Sequence, residues 1–229
     1  MKRNHEDGEH WLSVSDMMSG LMVIFLFIAI SYMMQVLEDR KQLIEIAITY
    51  EKTKEVIYQE LHDEFKDDLK KWNAEIDKDT LAFRFQEPDV LFNVGEAELK
   101  SEFKVILDNF FPRYISVLSS YRTDIEEIKL EGHTSSEWNI KTVSSSEGYF
   151  LNMKLSQNRT RATLEYCLML QKVESDRDWI RSIVTANGLS SSKPILLSNG
   201  KEDTVRSRRV EFKVKTNSEK QILKILQKK

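Results

Sequence analysis

The sequence predicts an α+β chain in three parts: a single transmembrane helix, a helical linker, and a domain in which strands and helices alternate. Three observations carry that prediction. Residues 17 to 37 contain no charged side chain, although the chain as a whole is 31% charged and its mean hydropathy is −0.45. Residues 38 to 79 contain neither Pro nor Gly and are rich in Glu, Lys, Asp and Leu, the composition of a helix. From Thr80 onward, short alternating runs are interleaved with runs of helical period over about 140 residues, enough to close one core.

The apolar run Met17 to Leu37 is long enough as a helix to cross roughly 30 Å of hydrocarbon once. It exceeds the apolar core of a signal peptide, no small-residue cleavage site follows, and the charged string Glu38-Asp39-Arg40-Lys41 continues the chain, so an uncleaved anchor is expected over residues 11 to 37. Lys2 and Arg3 precede the run while Arg40, Lys41, Lys52 and Lys54 follow it, so counting basic residues does not set its orientation.

Asp16 is the only charged residue between Trp11 and Leu37, and Ser13, Ser15, Ser19 and Gly20 keep its surroundings small. Two readings of it are open. A carboxylate inside a membrane helix costs about 2.5 to 3.5 kcal/mol on insertion scales, and such a residue faces a protein interior or a water path and marks proton or ion movement. Alternatively, Asp16 caps a helix that starts at Met17, at the headgroup boundary, and needs no function.

In the linker, Ile57, Leu61, Phe65, Leu69, Trp72 and Ile76 recur every three or four residues and form one narrow apolar stripe. Such a stripe pairs with a second chain as a coiled coil or packs on the domain that follows. In the domain, Leu81-Ala-Phe-Arg-Phe alternates as a strand, and Leu99, Phe103, Ile106, Leu107, Phe110 and Phe111 mark a helix over Glu98 to Ser120 with a break or kink at Pro112. A strand is expected over Ile125 to Leu130, a helix over Leu155 to Leu170, and a shorter helix over Asp178 to Asn187 stopped by Gly188. Pro194-Ile-Leu-Leu and Val205 to Val214 read as two further strands, and Glu219 to Lys229 as a last helix.

Several function classes find no support. There are 34 Lys and Arg against 37 Asp and Glu, and a net charge of −3 gives no long-range attraction for nucleic acid. No Walker-type phosphate loop, His-Glu-x-x-His helix or paired-cysteine metal site is present, and Cys167 is alone, so no enzyme, cofactor or metal is expected.

Four strings in the domain resemble the OmpA-like peptidoglycan-binding fold, a βαβαβ-type domain with a mixed sheet, here placed at residues 80 to 217. They are Leu91-Phe92-Asn93-Val94-Gly95-Glu96-Ala97-Glu98-Leu99, Gly132-His133-Thr134, Asn152-Met153-Lys154-Leu155-Ser156-Gln157-Asn158-Arg159, and Arg208-Arg209-Val210-Glu211. The resemblance implies a wall-binding site from Arg159, Asn152, Leu155, Thr134, Ser135 and Arg208. In the family, an Asp after Gly-His-Thr and the helix arginine hold the amine and carboxylate of diaminopimelate. Here Ser135 replaces that Asp and an insertion including Trp138 to Gly148 follows, so Arg159 remains for the carboxylate, while for the amine three readings stay open: Glu137 as substitute partner, weak binding, or a different wall group as ligand. Leu155 as core, His133 as a strand-end residue and Arg208 as a surface ion-pair residue are the structural alternatives.

The stretch from Trp11 to Phe27 is similar to the single-span B-type subunits of proton-driven stators, the group that includes MotB, ExbD and TolR, which share one aspartate near the cytoplasmic end of the helix. Its text Ser15-Asp16-Met17-Met18-Ser19-Gly20 is most similar to the B subunit of the Zorya anti-phage system. The resemblance implies a homodimer inside a ring of five MotA-like multi-span subunits, with Asp16 carrying protons. It also implies a single pass through the bacterial inner membrane: residues 1 to 10 a cytoplasmic tail, residues 38 to 79 a coiled coil or plug, the domain in the periplasm on peptidoglycan, and 218 to 229 a helical tail. A flagellar-type stator and a passive membrane-tethered wall anchor are the alternatives.

Overall fold

The computed structural model describes residues 6–86, 88–138 and 144–217. The expected tail helix over Glu219 to Lys229 lies outside them, as does part of the insertion after Trp138. The chain divides into two units between Thr49 and Tyr50.

The first unit is helical. Helix α1 spans Glu6–Leu69, and its apolar side chains from Val14 to Leu37 stand in the open, Met17 at 77% and Met22 at 75% exposure. Among the described residues, this is the one helix long and apolar enough to cross a membrane. Apolar side chains without a protein partner are what a helix surrounded by lipid presents.

The second unit is a sheet with helices packed on it. The last turns of α1 belong to it, because Ile57, Leu61 and Phe65 are fully buried in its core. The stripe therefore packs on the following domain. A five-stranded sheet then begins at β1, Ala74–Asp77, earlier than the expected start near Leu81. All four β1 residues are half-buried, and Glu75 and Asp77 pair with Arg84 on β2, Ala82–Phe85. An edge strand with charges on one side carries little apolar alternation, which hid it.

A short helix α2, Pro88–Leu91, leads into a loop closed by a bridge between Phe92 and Leu99, with Gly95 at φ +76 in it. Helix α3, Ser101–Ser119, runs unbroken through Pro112, where a break or kink was expected. The lost backbone hydrogen bond is outweighed by the face on which Phe103, Leu107, Phe110, Phe111, Tyr114, Ile115 and Leu118 are buried. Phe110 sits at the centre of the core, within 5.3 Å of the ring centres of Phe65, Phe83, Phe85, Tyr114 and Phe212.

Strand β3, Ile125–His133, precedes α4, Ser145–Met169, whose N-cap Ser144 accepts from the Glu147 amide. After a 3-10 turn at Gln171–Asp176, α5 covers only Arg177–Ile183, and the chain becomes strand β4, Val184–Gly188. The helix expected over 178 to 187 is thus half helix and half strand. Pairing of Val184–Gly188 parallel to Ile128–Gly132, far away in sequence, overrides the local pattern. Pro194 to Leu197 is also not a strand; it contributes one bridge, Leu196 to Glu202. Helix α6, Thr204–Ser207, takes the residues where the last strand was expected to begin, and β5 is Arg209–Thr216.

The strand order is β1-β2-β5-β3-β4, antiparallel except for the β3–β4 pair. Val210, Phe212 and Val214 point into the core, while Arg209, Glu211 and Lys213 alternate onto the other face.

Candidate functional site

In the first unit, Asp16 lies about three turns inside α1 and is exposed. A helix N-cap must stand outside the helix it caps, so the capping reading of Asp16 does not hold. Ser19, three residues on, donates its hydroxyl to the Ser15 carbonyl at 2.8 Å, which keeps that hydroxyl on the backbone.

In the second unit, the four strings of the domain converge on one cleft. Leu91 and Phe92 come from the first, Gly132 and His133 from the second, Ser156 and Arg159 from the third, Arg209 and Val210 from the fourth. The free space between them is only about 10 Å³, less than a water molecule needs with comfort. These residues form a packing node.

Arg159 shows why. The residue is 9% exposed, and its guanidinium lies 4.7 Å from the centre of the Phe92 ring and donates to the carbonyls of Glu96 at 2.8 Å and Asn93 at 3.1 Å. One planar fork therefore ties α4 to the loop that follows α2. Asn152, seven residues earlier on the same face of α4, donates to the carbonyls of Ser135 at 3.2 Å and Glu137 at 3.4 Å. Thr134 and Ser135 are buried beneath this loop, and the Thr134 hydroxyl has no hydrogen-bond partner among the described residues. Glu137 is exposed at the loop's outer side. Leu155 is half-buried, and Arg208 turns back to donate to the Thr204 carbonyl at 3.1 Å, outside the cleft.

Ser190 and Glu202 were not expected from the sequence and hold the same loop. The Ser190 carbonyl accepts from the Thr134 amide at 2.9 Å, its own amide donates to Ser156 Oγ at 3.1 Å, and its hydroxyl donates to the Tyr149 carbonyl at 2.7 Å. Ser190 is fully buried with φ +52, a left-handed conformation these three bonds maintain. Glu202 accepts from the Ser136 amide at 3.1 Å and from its hydroxyl.

The far face of the sheet carries a buried charged cluster next to this node. His133 Nε2 stands 3.6 Å from Glu131 Oε2, while Glu211 Oε1 accepts from Arg84 Nε at 2.8 Å and Arg209 Nε at 2.5 Å. Burial lowers the His133 pKa, so the ring is neutral at pH 7, and contact with His133 followed by the charges of Lys193 and Lys213 holds Glu131 low. Burial acts to raise Glu211, but the charge and hydrogen bond of Arg209, with His133 and Arg84, outweigh it and leave Glu211 low. Glu131, His133 and Glu211 place three ligand atoms within 4.8 Å of one another. A cation there would have to displace two guanidinium groups from Glu211, so the cluster is better described as a charge network.

No family model matches the chain. Among solved structures, a MotB-like protein of Desulfovibrio vulgaris aligns with a TM-score of 0.52 at 22% identity, covering 72% of this chain and 96% of that one. The periplasmic domain of Helicobacter pylori MotB aligns at 0.43 with 16% identity, over 63% of this chain and 83% of that one. The first likeness assigns the fold: a MotB-like, OmpA-type domain following one long apolar helix. The sequence then narrows the class, since the chain is 49% identical to the Zorya protein ZorB of Escherichia coli strain Crooks over 227 residues, 99% of this chain and 96% of that protein. The chain belongs to the ZorB family.

Proposed function

We propose that this chain is the B-type subunit of a proton-driven membrane stator that serves anti-phage defence of the Zorya type. The observation that carries the reading is Asp16: the one charged residue between Trp11 and Leu37, well inside helix α1 and at the start of its exposed apolar stretch, in a chain of the ZorB family. An acid in an apolar membrane helix is stabilised where it faces a protein interior or a water path, which a second protein at this helix would supply. A MotA-like ring of five subunits around a dimer of this chain is the partner. The helix spans the bacterial inner membrane once, residues 1 to 10 face the cytoplasm, and the MotB-like domain stands in the periplasm on peptidoglycan.

In this mechanism a proton from the periplasm neutralises Asp16, and its release to the cytoplasm restores the charge. A charge appearing and disappearing at a low-dielectric contact changes which partner surface is preferred, so the ring advances by one contact per cycle. One charge falling through 100 mV releases about 2.3 kcal/mol, which drives the step. The wall-bound domain keeps the dimer still, and the ring turns against it. Arg159, Asn152, Thr134, Ser135, Leu155 and Arg208 remain the proposed wall-contacting set, with the first four shaping the loop edge above the node. Opening of the node by ligand would free the Arg159 fork from the carbonyls of Asn93 and Glu96.

The test is Asp16→Asn, which keeps the volume and removes the titratable proton. Membrane insertion and co-purification with the MotA-like partner are expected to persist, while protection against phage is lost. Wild-type protection by the variant would remove Asp16 from the mechanism.

A further inference from the structure

A second concavity, of about 330 Å³, opens on the sheet face away from the aromatic core, and five lysines line it: Lys54, Lys129, Lys193, Lys213 and Lys215. They arrive from four places, α1, β3, the segment after β4, and β5. Among the described residues two carboxylates share the lining, Asp79 and Glu131, the latter buried with its exposure at 6%. This excess of positive charge stands in a chain whose net charge is −3, so it does not follow from composition.

At its centre two like charges meet. Lys129 and Lys213 are direct partners in the antiparallel β3–β5 pair, and like charges placed opposite each other across two strands repel. Lys129 is 3.6 Å from Glu127 and Lys215 is 3.5 Å from Glu126, so two ammonium groups are tethered at the rim. Among the described residues, the cations of the lining are all lysines. Ammonium groups on flexible stems act as movable point charges that pair with phosphate oxygens.

We propose that this concavity is a binding site for a ligand carrying clustered phosphate-type charge, with Lys129 and Lys213 as its central pair. The bound anion screens their repulsion, so occupancy stabilises the sheet at β3–β5. The site is separate from the node around Arg159 and does not depend on the stator reading.

The experiment uses the full chain in nanodiscs of zwitterionic lipid, titrated calorimetrically with tripolyphosphate. Saturable binding is expected, weakening steeply as salt rises from about 50 to about 500 mM. The double variant Lys129→Gln, Lys213→Gln is expected to bind about tenfold more weakly or not at all, and the exposed Lys172→Gln to bind as wild type. On adding tripolyphosphate, the wild type is expected to gain in melting temperature and the double variant is not. Absence of binding, non-saturating binding, or equal binding by the double variant overturns the proposal. Competition by vesicles containing phosphatidylglycerol would identify a lipid headgroup as the source of the phosphate, and absence of competition a soluble one.

Discussion

Gly132 and Gly188 are direct partners in the parallel β3–β4 pair, and α4 crosses over both. A Cβ at Gly132 would lie 2.7 Å from Thr160 Cγ2 and 2.9 Å from the Ser156 carbonyl oxygen; at Gly188 it would lie 2.2 Å from the Gln157 amide nitrogen. Two missing side chains thus set how closely the helix bearing Asn152 and Arg159 sits on the strand ending in His133 and Thr134.

Substitution should therefore discriminate between the two glycines. At Gly132 an added Cβ meets a side-chain methyl and one backbone oxygen at 2.7 to 2.9 Å, while at Gly188 it meets helix backbone nitrogen at the shorter distance of 2.2 Å. Gly132→Ala is expected to cost about 1 to 3 kcal/mol and Gly188→Ala more than that, in urea unfolding of the chain. Equal stability of Gly188→Ala and wild type would mean that α4 does not approach β4 this closely.

Arg159 carries two roles that its variants separate. Arg159→Ala removes two part-buried charged hydrogen bonds to the carbonyls of Asn93 and Glu96 and is expected to cost about 2 to 4 kcal/mol, with weaker retention on purified peptidoglycan. Arg159→Lys keeps a positive charge but not the fork. If the residue meets the wall, the Lys variant should hold peptidoglycan less well than wild type even under conditions where its fold is intact by circular dichroism. Full retention would leave Arg159 with its packing role alone.

Arg113 fixes the last turns of α1 to α3. It donates to Glu64 Oε1 at 2.6 Å, Asp68 Oδ2 at 2.8 Å and the Glu64 carbonyl at 2.6 Å, and lies 4.6 Å from the Phe65 ring centre. The side chain is a third exposed, so solvent screens part of this. Arg113→Ala is expected to lower stability by about 1 to 2 kcal/mol, less at high salt. Hydrogen exchange in the α1 amides near Phe65 should rise in the variant; unchanged protection there would show that the apolar stripe alone holds the helix.

Acid should destabilise the domain in two steps. His133 has a folded pKa below its ordinary value because it is buried, so the unfolded chain binds more protons, and stability present above pH 6.5 declines as pH falls below it. Glu131 and Glu211 are also held low, so the stability they contribute above the ordinary carboxylate range is lost as pH falls further. Melting temperature is expected to drop between pH 7 and 5, and His133→Gln to flatten that first step. A wild-type melting temperature that is constant over this range would contradict the buried, neutral imidazole.

How much was legible depended on how local the cause was. Ile57, Leu61 and Phe65 announce themselves by spacing, but whether they meet a second chain or the same one is a matter of what else is nearby. Val184 to Gly188 looks helical by local pattern and becomes a strand only because β3 offers it hydrogen bonds. In α4 the inward stripe is Gly148, Asn152, Ser156, Thr160, Thr163 and Cys167, small and polar, so apolar periodicity does not reveal which face is buried. Its burial follows from the close crossing over Gly132 and Gly188.

The amino-acid sequence by itself determined the apolar span, the single acid within it, the alternation of strands and helices, and the four strings that mark the domain, because hydropathy and residue identity are local properties. Only the tertiary structure decided that those strings close on one another around Arg159, that Asp16 is not a helix cap, and that Lys129 and Lys213 face each other in a basic concavity. Those facts arise from pairing and packing between segments distant along the chain, where the free energy belongs to the contact and to neither segment alone.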